Sequence, residues 1–349
     1  MENPIAELRT LLNEPSAENW QSLVALFDRW PEQTALETGI EYALPHLEDW
    51  PEALRSVPEH WVWDRERDEV ACSPLLILCT TFHCLRGWEL GAEGTMPLTS
   101  FPGLANIRHL NLRNNRFGES DDRGAYLSCM EELLSSPMFS GLKTLDLSAG
   151  FIDDIGAKML ANALSLSELE ELNLSDNKFR DEGLQELAKS PYLKNLRTLD
   201  VSLCGEWSWG ERVTGVGLRS LVSESALPAL EELDLSESAI DTIAAERMAY
   251  GFKHQNLRKL SLRNNGIGCM GLQAFANAEL HQLKHLDLSH QELLSFDEAP
   301  NEKISDEEYY IVAQDGDLSD AWDWTGHQTM FDVTGGYLKQ VKSNIEIIL

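Results

Sequence analysis

The strongest constraint on this chain is a spacing. The pattern L-x-x-L-x-L returns seven times, at Ile107-Leu110-Leu112, Leu142-Leu145-Leu147, Leu169-Leu172-Leu174, Leu196-Leu199-Val201, Leu230-Leu233-Leu235, Leu257-Leu260-Leu262 and Leu283-Leu286-Leu288. Successive units begin 35, 27, 27, 34, 27 and 26 residues apart, which gives a period of 27 with two insertions. Self-similarity at such a period marks stacked repeats rather than one closed core. Leucines one residue apart project from the same face of a strand, and the residue between them faces the other way. After each strand the apolar period lengthens to that of a helix, as in Gly183-Leu184-Gln185-Glu186-Leu187-Ala188 and in Gly271-Leu272-Gln273-Ala274-Phe275-Ala276.

A single unit cannot bury its own leucines. Stacking turns the strands into a parallel sheet and sets the helices behind it. Helices are wider than strands, so the stack bends with the sheet on the inside. Seven strands at about 4.8 Å make a concave face on the order of 30 Å long.

These residues resemble the leucine-rich-repeat family, and its longer, ribonuclease-inhibitor-like class most closely. The resemblance covers residues 107–293 and implies an α/β solenoid: a horseshoe with a parallel concave sheet and convex helices. It also implies an Asn beyond each strand that satisfies backbone groups where the chain turns. Asn115, Asn177 and Asn265 hold that place, whereas Gly150, Cys204, Ser238 and Gln291 replace it, with Gln291 marking a last, capping unit.

The expected organisation is a Trp-rich, mainly helical region at 1–100, seven repeats at 101–294 and an acidic segment with a terminal strand at 295–349. In the first region, Leu8, Leu11, Leu12, Trp20, Leu23, Leu26 and Phe27 fall at helical spacing, with Ser16 placed to cap the second helix. The segment 13–31 is similar to the short companion domain ahead of bacterial leucine-rich repeats. The region reads either as an enlarged amino-terminal cap or as a separate docking module. The terminal runs 337–341 and 345–349 are strand-like and would cover an otherwise sticky sheet edge, as an acidic carboxyl-terminal cap.

The formal charge is −30, which argues against nucleic acid and against an anionic membrane surface. It points instead to a neutral or basic protein partner. Residues 1–100 hold 18 acids and 6 bases, residues 101–290 hold 27 and 19, and residues 291–349 hold 13 and 3, so the excess lies at the ends. The outward strand positions are nearly balanced. Asp146, Asn173, Asp200 and Asp234 form one column, continued by Ser261 and Asp287, with bases such as Arg113 and Arg263 toward both ends.

No charged start followed by an apolar run opens the sequence, and no apolar stretch reaches the ~20 residues that span a bilayer. Six scattered cysteines read as reduced thiols, so a soluble cytoplasmic protein is expected. Cys72, Cys79 and Cys84 are badly spaced for zinc, and His281 and His285, four apart, do not share a helix because His285 lies in the seventh strand. No phosphate-loop, zinc-protease or serine-elbow motif occurs, so neither cofactor, metal nor enzymatic activity is expected.

The expected function is that of a protein-interaction scaffold. Its partner surface is assigned to the concave residues Arg113, Asp146, Asp200, Asp234, Arg263 and Asp287, and to Trp207 and Trp209 on the insertion 205–212. Tryptophan is enriched in interface hot spots, although both rings could equally fold down as a local lid. The alternatives are an acidic inhibitor or immunity-type protein that masks a basic enzyme such as a nuclease, and, more remotely, an effector with a catalytic amino-terminal module. Oligomeric state is not legible.

Overall fold

The computed structural model describes residues 4–30, 33–64, 69–70, 73–83, 102–115, 123–135, 140–204, 213–291 and 345–349. The insertion 205–212 with Trp207 and Trp209, the run 337–341, Cys72 and Cys84 lie outside the described residues.

Three helices open the chain: α1 (Pro4–Leu12), α2 (Ala17–Asp28) and α3 (Gln33–Leu47). Ser16 caps α2, its Oγ accepting from the Asn19 N–H at 3.1 Å. Leu8, Leu12, Trp20, Leu23, Leu26, Phe27, Ala43 and Leu47 are buried and join one core continuous with the repeats. The helices are also tied to later chain, because the Trp20 indole donates to the Ser56 carbonyl at 3.0 Å. A small antiparallel pair follows, β1 (Trp63–Asp64) with β2 (Glu69–Val70).

The rest is one parallel sheet. Strands β3 (Thr81–His83), β4 (His109–Asn111), β5 (Thr144–Asp146), β6 (Glu171–Asn173), β7 (Thr198–Asp200), β8 (Glu232–Asp234), β9 (Lys259–Ser261) and β10 (His285–Asp287) lie side by side in chain order, and β11 (Glu346–Ile348) is added beyond β10. Register runs leucine to leucine, from Leu110 through Leu145, Leu172, Leu199, Leu233 and Leu260 to Leu286. Helices α4 (Arg123–Ser135), α5 (Asp154–Ala161), α6 (Asp181–Ala188), α7 (Gly215–Leu221), α8 (Thr242–Tyr250) and α9 (Cys269–Asn277) back the sheet. This is the expected α/β solenoid with strands inside and helices outside.

Two strands lie outside the seven units. Phe82 is the register partner of Leu110, which puts Cys79 where the other units have their first leucine. The register reaches back further still, since Ser56 bridges Thr81 and the Arg55 carbonyl accepts from Thr80 and Thr81, as the Thr80 carbonyl does from Arg108 and His109. At the other end Ile347 pairs with Leu286, so the terminal run supplies the last apolar rung.

On the outer side three helix starts are capped by the first residue of the helix before, while Asp153 and Asp241 cap their own helices, α5 and α8. Asp154, the first residue of α5, accepts from the N–H groups of Arg180 and Gly183 at 2.7 and 2.8 Å. Asp181 does the same for Thr214 and Gly217 at 2.8 and 3.1 Å, and Thr242 Oγ1 accepts from Gly268 at 3.1 Å. Glycine is needed at 183 because a Cβ there would run into Phe179, Asp154 and Ala157. Among the described residues no helix is long and apolar enough to cross a membrane.

Candidate partner-binding surface

The concave face is shaped by a turn repeated after each of seven strands. The residue just before the Asn position is left-handed throughout: Asn114, Ala149, Asp176, Leu203, Glu237, Asn264 and His290 have φ between 53° and 60°. Non-glycine residues pay roughly 1–2 kcal/mol for that conformation. Ladder bonds hold them there, such as Ala149 N–H to the Ser175 carbonyl and Asp176 N–H to the Ser202 carbonyl, both at 2.9 Å.

The side chain that follows fills the turn. Asn177 Oδ1 accepts from Gly150 and Ile152 at 3.1 and 2.9 Å, while its Nδ2 donates to the carbonyls of Leu174 and Leu147 at 2.8 and 3.1 Å. Asn265 repeats this with Ser238, Ile240, Leu262 and Leu235. The substitutes do part of the same work. Cys204 Sγ donates to the Leu174 carbonyl at 3.5 Å, and Ser238 Oγ to the Ser236 carbonyl at 3.1 Å. Gln291 does the asparagine's work with a longer arm, accepting from Ile267 at 3.1 Å and donating to Leu262 at 2.8 Å.

The acidic column is part of this machinery. Asp146, Asn173, Asp200 and Asp234 are register partners on adjacent strands, and the line continues through Ser261 to Asp287. In each Asp or Asn of that line, Oδ1 accepts the backbone N–H two residues on, from Ser148, Ser175, Ser202, Ser236 or Ser289, at 2.9 Å. Four of those serines add their hydroxyls to the same oxygen. This is an Asx turn, and it uses one oxygen only. Among the described residues the other carboxylate oxygen of Asp146, Asp200, Asp234 and Asp287 has no hydrogen bond. The sequence signal for the serines was present as Asp-x-Ser or Asn-x-Ser in five units and passed unread.

Asp200 lies in the column between Asn173 and Asp234, with Asp146 one strand beyond Asn173. Burial pushes its carboxyl above the ordinary value, the Ser202 bonds oppose this, and the charges of Asp234 and Asp146 push it up further. The bases beside the column divide into paired and unpaired. Arg197 is bonded to Glu231 and Lys259 to Glu232, each at 3.1 Å, and Lys143 lies 4.0 Å from Glu52, whose carboxylate also meets His109 at 3.1 Å. Arg113 and Arg263 are exposed, hold matching positions two residues beyond β4 and β9, and make no ion pair among the described residues. Asp146, Asp200, Asp234 and Asp287 therefore lie along one line of the sheet, with Arg113 and Arg263 just beyond β4 and β9; the two tryptophans lie outside the described residues.

No group of His, Cys, Asp and Glu among the described residues is arranged to hold a metal ion. His285 is in a strand and meets Glu346 at 2.6 Å. Cys79 and Cys204 are buried free thiols, and burial raises both well above the ordinary thiol range, the opposite of an activated nucleophile.

Two segments, residues 166–188 and 253–276, match a family model described as Leucine Rich repeat. They coincide with β6–α6 and β9–α9. No curated protein matches the chain.

Proposed function

We propose that this leucine-rich-repeat solenoid holds a neutral or basic partner protein on its concave face, through the carboxylates of Asp146, Asp200, Asp234 and Asp287 and the guanidinium groups of Arg113 and Arg263, which make no ion pair among the described residues. Leucine-rich repeats generally serve protein–protein interaction, and one observation carries the finer reading. The Asx turn needs one oxygen, which asparagine supplies equally well at Asn111 and Asn173. Four units nonetheless keep a carboxylate, and Asp200 keeps it against burial and two neighbouring acids. A charge that the turn does not need is available to a partner, where complementary charge sets orientation and association rate. Trp207 and Trp209 are assigned to the rim of the same surface.

The test is affinity capture with Asp200→Asn plus Asp234→Asn against the unaltered chain. These substitutions preserve the turn, so loss of captured proteins from a folded variant supports the reading. Equal recovery of the same proteins removes the column from the interface.

The net charge of −30 favours a second reading in which the partner is a basic enzyme that the solenoid masks. Binding would then weaken steeply with added salt, and an acidic partner or salt-indifferent binding would exclude it.

A further inference from the structure

The convex side carries a pairing of like charges that its neighbours do not. In α5 and α6, the fifth residue of one helix, Lys158, meets the sixth of the next, Glu186, at 3.8 Å. In α7 and α8 the same two positions hold Arg219 and Arg247, so a cation stands where the acid would be. Each arginine stem lies across a glycine of the other helix, Arg247 against Gly215 and Arg219 against Gly251, at places where a Cβ would collide with the stem. The two arginines line one depression of about 440 Å³, together with Val216 and Tyr250, which are 53% and 67% exposed.

Neither guanidinium has a hydrogen-bond or ion-pair partner among the described residues. The acid next to Arg247 in sequence, Glu246, is acted on by burial and by Asp241, not by either guanidinium. Two uncompensated forks, a phenol and a small apolar wall in a space of ligand size make a site for an anion. Charge decides which anion. A carboxylate would leave one guanidinium unbalanced, whereas a phosphate monoester, close to dianionic at neutral pH, balances both.

We propose that the depression between α7 and α8 binds a phosphate monoester, each arginine donating to its oxygens and Val216 and Tyr250 flanking the attached group. The site lies on the face opposite the aspartate column, so its failure leaves the concave-face reading untouched.

Phenyl phosphate titrated calorimetrically into the full chain at low ionic strength tests it, with phenylacetate as a monoanion of similar shape. Binding of phenyl phosphate at least about tenfold tighter than phenylacetate is expected, as is a loss of about tenfold or more in Arg219→Gln and in Arg247→Gln. Lys189→Gln, an exposed charge on the neighbouring repeat, should change nothing. Both arginine side chains are exposed, and circular dichroism would verify that the variants fold. Absence of binding, equal affinity for the two probes, or unchanged affinity in the double arginine variant would overturn the proposal.

Discussion

The units that carry an asparagine in the turn and those that lack one solve the same problem differently. Asn177 and Asn265 each serve two turns, their own and that of the unit before. The units of Gly150 and Ser238 are the recipients. In both, the next residue is also left-handed, Phe151 at φ 57° and Ala239 at φ 51°, which turns two N–H groups toward the neighbour's amide oxygen. A missing asparagine is thus covered by a strained backbone and a borrowed acceptor. In these two units the place left without an asparagine is served by the asparagine of the next.

The largest expected effect follows directly. Asn177→Ala strands two N–H groups and leaves the Leu147 and Leu174 carbonyls with fewer donors, in two units at once, for about 3–5 kcal/mol in urea unfolding. A loss near 1 kcal/mol would break the comparison, because the borrowing would then carry no weight. Cys204→Ala removes a weaker set of bonds, together with a buried sulfur, and should cost about 1–2 kcal/mol. Ser238→Ala should cost about 1 kcal/mol, since Asn265 still serves that turn.

A parallel contrast on the helix side brings in pH. Ser190 Oγ accepts from Tyr192 and Leu193 and donates to Ala161. Two units on, His254 makes a similar set of bonds from a different position: Nδ1 accepts from Asn256 and Leu257, and Nε2 donates to Leu227 at 3.3 Å. Only a neutral ring can accept those bonds, and burial lowers the imidazole below its ordinary value, ahead of the opposing backbone bonds. Below about pH 6.5 the unfolded chain therefore binds the proton that the folded one refuses. Stability should fall as pH drops from there toward the lowered value, and His254→Ser should flatten that part of the profile measured against the unaltered chain.

The smallest effect has the opposite sign. Because the Asp200 carboxyl is raised, its ionised form costs stability at neutral pH, so Asp200→Asn should gain about 0.5 kcal/mol in the same unfolding measurement. A loss instead would mean that the turn needs the charge, and would weaken the argument for a partner.

Much of the fold was legible because the leucine register is a period-2 constraint imposed by burial, and burial leaves its mark on residue type. It failed at β3, where Cys79 and Phe82 fill leucine places with other buried side chains. The outward orientation of the aspartates was readable from the same period. Their bond to the backbone was not plain, since the donor is an N–H that any residue supplies, as Arg113 does for Asn111, and the serine two residues on is only an accompanying mark. Matching Arg219 to Arg247 required knowing which helix positions meet, and no local pattern supplies that.

The outer caps have a direction: Asp154 serves the helix that follows it, and Asp181 and Thr242 do likewise. The inner amides point the other way, with Asn177 and Asn265 serving the turn that precedes them. Neighbouring units are therefore laced in opposite senses along the two sides wherever these side chains occur. Erosion from either end would orphan groups in the unit left behind, so these repeats should melt as one block instead of peeling away singly.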